Sequence, residues 1–275
     1  MQTQELDRLL QRARDRFGLV EDYEVDQLSR LADILRGARR FVDVGANRGV
    51  YAYVANILMR NGRIVMIEAD PRLAERLGAA VRDWTRETDN GNEITVLATA
   101  AGDRDCVMPF QLGPEETLGS LTGSDFLTGG AERVDISVKP LDTLLPSGPG
   151  TVFKIDVEGF EYRVLDGARR HLAKPDAKLL VELHGWGDST IGTYPHHVFS
   201  LMRRAGYKAE KTSGREYIFL FGKGDRWDAW ASFLRFAPLA WLKSLARRAG
   251  LRPLYHGIRA RIGLGYPRDR SGLAS

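Results

Sequence analysis

Four ionisable side chains stand at the ends of two apolar, strand-like segments, where they could move a proton or hold a cation. Asp156 and Glu158 end one segment, and Glu182 and His184 end the next. Alternate residues of a strand share a face, so Glu182 and His184 are expected to point the same way. His184 could act as a general base with Asp156 and Glu182 as further catalytic residues, because imidazole titrates near neutral pH. Alternatively, Asp156, Glu182 and His184 bind a divalent cation such as Mg²⁺, or Asp156 and Glu158 merely cap the next helix.

Other polar residues near these segments have less specific interpretations. Lys154 shares a strand face with Asp156 and could lower the pKa of that carboxyl. Glu161 is interpreted as a surface residue or a partner of Lys154. His196 and His197 follow a proline at a helix start and are interpreted as surface or acceptor-groove residues.

A second candidate site surrounds a turn earlier in the chain. Residues 41–49 read Phe-Val-Asp-Val-Gly-Ala-Asn-Arg-Gly, which predicts a buried strand, a glycine turn and the start of a helix. Gly45 permits the turn, and Gly49 lets the helix begin close to the sheet. Backbone N–H groups at such a helix start point to the carboxyl edge of the sheet, where α/β proteins bind ligands.

The residues around this turn favour a ligand that has a ribose but no phosphate. A dinucleotide-binding turn requires Gly-x-Gly-x-x-Gly, but here Asn47 and Val50 replace the later glycines, and no Gly-Lys-Ser/Thr follows. S-adenosylmethionine is such a ligand, since its amino and carboxylate groups suit the Gly45–Asn47 turn and Asp43. Glu68, at the end of the next strand, could accept two hydrogen bonds from a ribose diol or could cap the following helix.

The composition, with 43% apolar and 28% charged residues, is typical of a soluble globular protein. The length of 275 residues suits one large domain with an appendage, or two domains. No apolar run is long enough to cross a bilayer, and the polar N-terminus does not resemble a signal peptide. The single cysteine, Cys106, excludes an intramolecular disulfide and a cysteine-based zinc cluster. We therefore expect a reducing, cytoplasmic location.

Alternating strand and helix patterns predict an α/β fold with a doubly wound, mostly parallel sheet. Two amphipathic helices, broken near Gly18, precede the first strand, and a hairpin over residues 207–221 closes the sheet with an antiparallel strand. One strand is predicted over residues 94–100 and one helix from 158 to 171. Residues 103–149 are predicted to form an irregular insertion with short β-like pieces at 106–112 and 134–139 and with a lid or substrate loop. The predicted units are an N-terminal helical segment (1–38), a cofactor-binding domain (39–224) and a basic tail (225–275).

Six blocks, in this order, resemble the FkbM-type S-adenosylmethionine-dependent methyltransferases. They are Phe-Val-Asp-Val-Gly-Ala-Asn-Arg-Gly (41–49), Ile-Glu-Ala-Asp-Pro (67–71), Thr-Ala-Ala-Gly-Asp (99–103), Val-Lys-Pro-Leu-Asp-Thr-Leu (138–144), Phe-Lys-Ile-Asp-Val-Glu-Gly-Phe-Glu (153–161) and Val-Glu-Leu-His (181–184). The resemblance covers roughly residues 40–221. It implies the Rossmann-like class I methyltransferase fold with a seven-stranded sheet. It also implies methyl transfer to a hydroxyl oxygen, usually on a sugar, glycan or polyketide-like natural product.

The resemblance also places the cofactor site. Asp43, Gly45, Asn47 and Glu68 match the family's cofactor residues, and the Ala100–Ala101 backbone matches its adenine pocket. The full set of expected cofactor-binding residues is Asp43, Gly45, Ala46, Asn47, Gly49, Glu68, Ala69, Ala100, Ala101 and Asp156. The pair Ala69-Asp70 departs from the Pro-Asn that is common in the family. The Asn/Asp-Pro-Pro-Tyr/Phe motif of nitrogen-methylating enzymes is missing, which argues against a nitrogen acceptor.

These observations predict an O-methyltransferase that uses S-adenosylmethionine to methylate a hydroxyl of a saccharide, glycan or secondary metabolite. Two alternatives stay open: an NAD(P)-dependent oxidoreductase on a Rossmann-like fold, and a non-catalytic domain that binds the cofactor.

Positive charge is concentrated in the tail. From Arg226 to the end there are ten basic residues and two acidic ones, a net charge of +8, so the rest of the chain carries −4 of the total of +4. Large apolar residues recur there at helical spacing: Trp227, Trp230, Phe233, Leu234, Phe236, Leu239, Trp241, Leu242 and Leu245. This pattern predicts either a helix that packs on the domain or on a second subunit, or a helix on anionic lipid at the inner membrane face. Interleaved aromatic residues disfavour nucleic acid as a partner.

Overall fold

The computed structural model describes residues 3–18, 22–88, 90–113, 121, 132–184, 195–212 and 218–248. The helices are α1 (Thr3–Phe17), α2 (Asp22–Ile34), α3 (Val50–Leu58), α4 (Pro71–Glu87), α5 (Leu141–Leu144), α6 (Glu161–Asp166), α7 (Arg169–Leu172), α8 (Pro195–Arg204) and α9 (Arg226–Arg248). The strands are β1 (Arg40–Val44), β2 (Arg63–Glu68), β3 (Glu93–Ala98), β4 (Ala100–Gly102), β5 (Cys106–Gln111), β6 (Arg133–Pro140), β7 (Thr151–Ile155), β8 (Lys178–Glu182), β9 (Tyr207–Lys211) and β10 (Ile218–Lys223).

The central element is a seven-stranded sheet in the order β3-β2-β1-β7-β8-β10-β9. Its neighbouring strands pair in parallel except for β10, which runs antiparallel to both β8 and β9. This arrangement confirms the predicted doubly wound, mostly parallel sheet of the class I methyltransferase type. The predicted closing hairpin is also present, although the residues of its turn lie outside the described ranges.

Apolar residues on both faces of β1 hold the sheet between two cores. Phe41 packs with the N-terminal helices and α3, whereas Val42 and Val44 pack with the second sheet and the helices that follow β7. Fully burying side chains of this size contributes about 1.5–3 kcal/mol each. In register, Val44 pairs with Ile67 of β2 and with Ile155 of β7. The carboxyl ends of these three strands therefore lie side by side.

Two predicted elements differ from the structure. The strand predicted over residues 94–100 ends at Ala98, because Thr99 turns the chain and its hydroxyl donates a hydrogen bond to the Ser137 carbonyl at 2.7 Å. Residues 100–102 then join a second sheet, ordered β4-β6-β5. The β-like pieces predicted within residues 103–149 are confirmed as strands β5 and β6, which form this second sheet with β4. The proposed lid falls mainly on residues outside the described ranges.

The helix predicted from 158 to 171 is divided into α6 and α7. Gly167 lies between them, and a Cβ there would stand 1.8 Å from the Gly102 carbonyl oxygen. The close approach of the two backbones requires glycine at this position and interrupts the helix.

The helix α9 lies against the far edge of the sheet. Its buried residues Ala229 and Ala237 face the domain, and the Phe236 ring stacks on Phe199 of α8 with centroids 5.7 Å apart. The helix continues through Pro238. Within the described ranges, no helix is both long enough and apolar enough to span a bilayer.

Candidate active site

The turn after β1 is held close to both neighbouring strands. Gly45 has φ +76°, and the Gly45 N–H donates to the Ile67 carbonyl at 2.9 Å. On the other side, a Cβ at Gly45 would stand 1.9 Å from the carbonyl oxygen of Asp156. Both the dihedral angle and the contact therefore exclude a side chain here, which explains the glycine that the sequence pattern singled out.

We expect Gly45→Ala to destabilise the fold more than Gly37→Ala does. Gly37 has a similar backbone conformation, but a Cβ there would lie in open space. Gly37 has φ +74° with no heavy atom within 4 Å of its would-be Cβ, so Gly37→Ala isolates the conformational cost of about 1–2 kcal/mol. Gly45→Ala adds a backbone clash, and urea unfolding should show a loss clearly greater than that of Gly37→Ala. Equal losses would contradict this packing of the turn.

Glu68 closes the other side of the turn. Its side chain is buried, with Oε2 accepting a hydrogen bond from the Asn47 N–H at 2.7 Å and Oε1 accepting one from the Asp70 N–H at 2.9 Å. Burial raises the pKa of Glu68, although the backbone donors of Asp70 and Asn47 oppose that rise. Asp70, not Glu68, caps α4, since its Oδ1 accepts from the Arg72 N–H at 2.9 Å. Each Glu68 oxygen has a second lone pair for a ligand.

An open cleft lies between the ends of β1, β2 and β7 and the second sheet. Seven of the residues predicted to bind the cofactor line it: Gly45, Asn47, Glu68, Ala69, Ala100, Ala101 and Asp156. Glu158, which the sequence singled out for its chemistry, lines the cleft too. Further lining residues were not predicted as ligand contacts: Asp70, Thr99, Phe110, Leu121 and Phe160. The lining therefore combines acidic and apolar residues. Among the described residues that line it, none is lysine or arginine.

Three residues predicted to bind the cofactor do not line the cleft. Asp43 lies on the opposite face of β1, because neighbouring side chains of a strand point in opposite directions and Val44 faces the cleft. Ala46 is buried in the core with α3. Gly49 approaches α4 rather than the sheet, since a Cβ there would stand 2.7 Å from side-chain atoms of both Leu77 and Trp84. Ala46 and Gly49 thus shape the turn from behind.

Lys154 joins the turn to the end of β7 beneath the cleft. Its buried ammonium lies 3.1 Å from Asp156 Oδ2, 4.0 Å from Asp43 Oδ1 and 4.7 Å from the centroid of the Tyr51 ring, and it donates to the Gly45 carbonyl at 3.5 Å. Burial acts to lower the pKa of Lys154, but Asp156 and Asp43 outweigh it and raise the pKa. The lysine therefore stays charged and fixes the position of Asp156.

Asp43 should make stability depend on pH, because burial raises the pKa of its carboxyl to about 7. The unfolded value is about 3.9, so the folded state binds the proton more tightly. The stability that Asp43 contributes is present below about pH 4 and is lost as the pH rises through 7. The unfolding free energy of the wild type relative to Asp43→Asn should therefore fall between pH 5 and 7, by up to about 1.4 kcal/mol per pH unit. Urea titrations measure this, and a constant difference would contradict it.

His184 sits among four carboxyl groups. Its Nδ1 lies 2.8 Å from Glu161 Oε1, and its Nε2 lies 3.4 Å from Glu158 Oε2, 3.8 Å from Asp156 Oδ1 and 3.9 Å from Glu182 Oε1. Burial acts to lower the pKa of His184, but the hydrogen bond to Glu161 and the charges of the carboxylates raise it to about 10. The ring is thus an imidazolium at neutral pH, which cannot accept the further proton expected of a general base.

Two interpretations of the neighbouring acids need correction. Glu161 is buried and accepts hydrogen bonds from the Gly159 N–H at 2.8 Å and from His184, so it is neither a surface residue nor a partner of Lys154. Neither Asp156 nor Glu158 caps α6, whose N-cap residue is Phe160 and which has no side-chain cap. Glu158, at φ +51°, is instead directed into the cleft.

The residues gathered here could also hold a metal ion. Asp156, Glu158 and His184 each offer a ligand atom, and these atoms lie within 4.8 Å of one another. The sequence-predicted set of Asp156, Glu182 and His184 is therefore only partly reproduced, because Glu158 takes the place of Glu182 in this group. Two carboxylates and one imidazole form a suitable donor set, but the imidazole would first have to lose its proton.

Comparisons with solved structures found chains of low identity. A methyltransferase FkbM from Methylobacillus flagellatus KT is 20% identical over 79% of this chain and 58% of its own, with a TM-score of 0.43. This chain therefore spans less than two thirds of that protein. The O-methyltransferase TomG from Streptomyces achromogenes, solved with S-adenosylmethionine, is 19% identical over 82% of this chain and 92% of its own, with a TM-score of 0.40. The S-adenosylhomocysteine-bound PaMTH1 of Podospora anserina is 13% identical over 80% and 88%, with a TM-score of 0.44.

A search of curated proteins found no significant match. The family model of the methyltransferase FkbM domain, in contrast, matches residues 43–209, from β1 to β9. This range contains every residue described above as lining the cleft. Because the match covers more than half of the chain, the protein belongs to the methyltransferase FkbM domain family.

Proposed function

We propose that this protein uses S-adenosylmethionine to methylate a hydroxyl group of a saccharide, glycan or secondary metabolite. The observation that carries the proposal is the acidic lining of the cleft: Glu68, Asp70, Asp156 and Glu158, with no basic residue among the described lining residues. Three of these carboxylates pair with Arg72, Lys154 and His184, but none of those cations lines the cleft. The charged atoms that face a ligand are therefore carboxylate oxygens, which suit a sulfonium cation and repel the pyrophosphate of NAD(P). Membership of the FkbM family supports methyl transfer, and the cleft thus disfavours the oxidoreductase alternative.

The residues present fit S-adenosylmethionine part by part. Glu68 would accept hydrogen bonds from the ribose hydroxyls, and its buried carboxylate is already fixed by two backbone donors. Phe110, Leu121 and Phe160 provide apolar walls for the adenine beside Ala100 and Ala101. Asp156, held by Lys154, would face the positively charged end of the ligand. When bound, the cofactor supplies a methyl group on a positively charged sulfur that departs as a neutral thioether.

Glu158 is our candidate for the proton acceptor. An alcohol oxygen must lose its proton when it attacks a methyl group, so the site needs a base or a cation beside it. Both carboxylates line the cleft, but Asp156 is held by the buried Lys154 at 3.1 Å, whereas Glu158 lies farther from its cation, 3.4 Å from His184 Nε2, and burial raises its pKa. Accepting the hydroxyl proton would turn Glu158 into a neutral acid. Asp156 would then position the cofactor and Glu158 would carry out the proton transfer.

His184 acts in this proposal as a positioning residue. Its ring is fixed by the buried Glu161, and Nε2 faces Glu158, Asp156 and Glu182. One imidazolium thereby holds together carboxylates that would otherwise repel one another. Glu182 contributes charge to the group but does not belong to the cleft lining.

A divalent cation is the alternative to a protein base. Asp156, Glu158 and His184 would hold it, and it would lower the pKa of the acceptor hydroxyl. A chelator distinguishes the two mechanisms. It should abolish methyl transfer if a divalent cation is required, and it should leave transfer unchanged if Glu158 is the base.

Turnover of S-adenosylmethionine labelled in its methyl group tests the function. The full chain would be incubated with a panel of saccharides, glycans and natural products, with and without Mg²⁺ and EDTA. We expect label in an O-methyl ether of a hydroxyl-bearing acceptor. Methyl transfer only to nitrogen would contradict the proposal. Binding of the cofactor without transfer to any acceptor on a broad panel would also contradict it, and would favour a non-catalytic binding domain.

A further inference from the structure

The helix α9 carries an apolar stripe on its outer surface, which borders the face by which the helix packs on the domain. Trp227, Leu234 and Trp241 follow one another at intervals of seven residues and therefore lie along one line of the helix. Their side chains are 80%, 63% and 49% exposed, respectively. Trp230 adds a fourth exposed ring between the first two. We call these four residues the outer stripe.

The attachment of α9 to the domain centres on the side of the helix away from Trp227 and Leu234, where Ala229 is buried and Phe236 stacks on Phe199. The buried Ala237, seven residues after Trp230, lies at the edge of the outer stripe. Trp230 lies at the border between the outer stripe and the packed face, because the Arg203 guanidinium of α8 lies 4.0 Å from its ring centroid. A helix with one packed apolar face and a second exposed one presents a surface for another partner.

Charge indicates which partner this surface fits. Within α9 there are five basic residues, Arg226, Arg235, Lys243, Arg247 and Arg248, against the single acid Asp228. Arg226 and Arg235 are exposed next to the outer stripe. Pairing the stripes of two copies would bring these cations together, which opposes a dimer. An anionic lipid surface, in contrast, takes up tryptophan and leucine at its boundary and attracts the cations to its headgroups.

We propose that α9 binds the surface of a membrane that contains anionic lipid, with the outer stripe inserted at the headgroup boundary. Binding is peripheral and leaves the cleft and its chemistry unchanged. The surface lies on the far edge of the sheet, beside β9 and α8, whereas the cleft lies at the ends of β1, β2 and β7. The proposal is therefore independent of the acceptor that the enzyme uses.

Vesicle flotation with the full chain tests this surface. One set of vesicles is phosphatidylcholine alone, and the other contains phosphatidylglycerol at about one third of the lipid. We expect the protein to float with the anionic vesicles only, and to bind them less as the salt concentration rises, because salt screens the attraction to the headgroups. Equal flotation with both sets, or flotation with neither, would overturn the proposal.

Leu234→Glu is the informative variant, because this side chain is exposed and its replacement leaves the packed face of α9 intact. It should weaken vesicle binding at least about tenfold by removing apolar insertion and adding a negative charge. Val107→Glu is the matched control, since Val107 is 67% exposed on β5, away from α9, and binding should be unchanged. Light scattering completes the test by measuring the oligomeric state. Suppose that the wild type is a dimer that does not bind vesicles, and that Leu234→Glu converts it to a monomer. The outer stripe would then serve self-association, and the lipid proposal would be overturned.

Discussion

Glu158→Gln should lower kcat for methyl transfer by about 10²- to 10⁴-fold, the usual contribution of a general base. Glutamine keeps the shape of the side chain but cannot take up the hydroxyl proton. The affinity for S-adenosylmethionine should change by no more than about fivefold, because a partly exposed charge contributes only about 1 kcal/mol. The loss should therefore appear in the chemical step and not in cofactor binding.

Single-turnover kinetics with bound labelled cofactor measures that step directly. Glu182→Gln is the matched control, since Glu182 Oε1 also lies near His184 Nε2, at 3.9 Å, but the residue does not line the cleft. If Glu158 accepts the proton, the fall in kcat caused by Glu182→Gln should be at least about tenfold smaller than the fall caused by Glu158→Gln. Equal losses in the two variants would show that the total charge around His184 matters, and that Glu158 has no special role as a base.

Glu68→Gln should weaken binding of S-adenosylhomocysteine by about 10- to 150-fold, which corresponds to one charged hydrogen bond of roughly 1.5–3 kcal/mol. Two effects combine. The ribose loses a charged acceptor, and the new amide group must face one of the two backbone N–H donors that the carboxylate now accepts from. The second effect disturbs the turn at Asn47 as well.

Isothermal titration calorimetry measures the change in affinity, and thermal unfolding shows whether the variant is folded. The control is Glu93→Gln, the same replacement at an exposed carboxylate on the neighbouring strand β3. It should bind the ligand as the wild type does. If the folded Glu68→Gln protein binds S-adenosylhomocysteine with unchanged affinity, Glu68 does not contact the ribose.

Local patterns predicted the strands that carry the cleft and the glycine turn between them. Glu68 was expected at the end of the strand that follows the turn, and the structure has it as the last residue of β2. Each of these features depends on residues close in sequence or on the fixed register of adjacent parallel strands. The face of Asp43 could have been found in the same way, since strand alternation sets it opposite Val44.

The features that the sequence did not reveal depend on contacts between distant residues. Nothing between Ile94 and Ala100 marks a strand break, because the turn at Thr99 depends on a hydrogen bond to Ser137, 38 residues away. Glu161 likewise has its side-chain partner in His184, 23 residues later in the chain. The pKa of His184 follows from the whole group of carboxylates and not from its own sequence neighbours.

The most direct test of the central claim is a crystal structure of the full chain with S-adenosylhomocysteine. We predict that the ribose hydroxyls lie within about 3.2 Å of the Glu68 carboxylate and that the adenine lies beside Ala100 and Ala101. A ligand bound elsewhere, or a cleft filled by a side chain with Glu68 distant from any sugar, would contradict it.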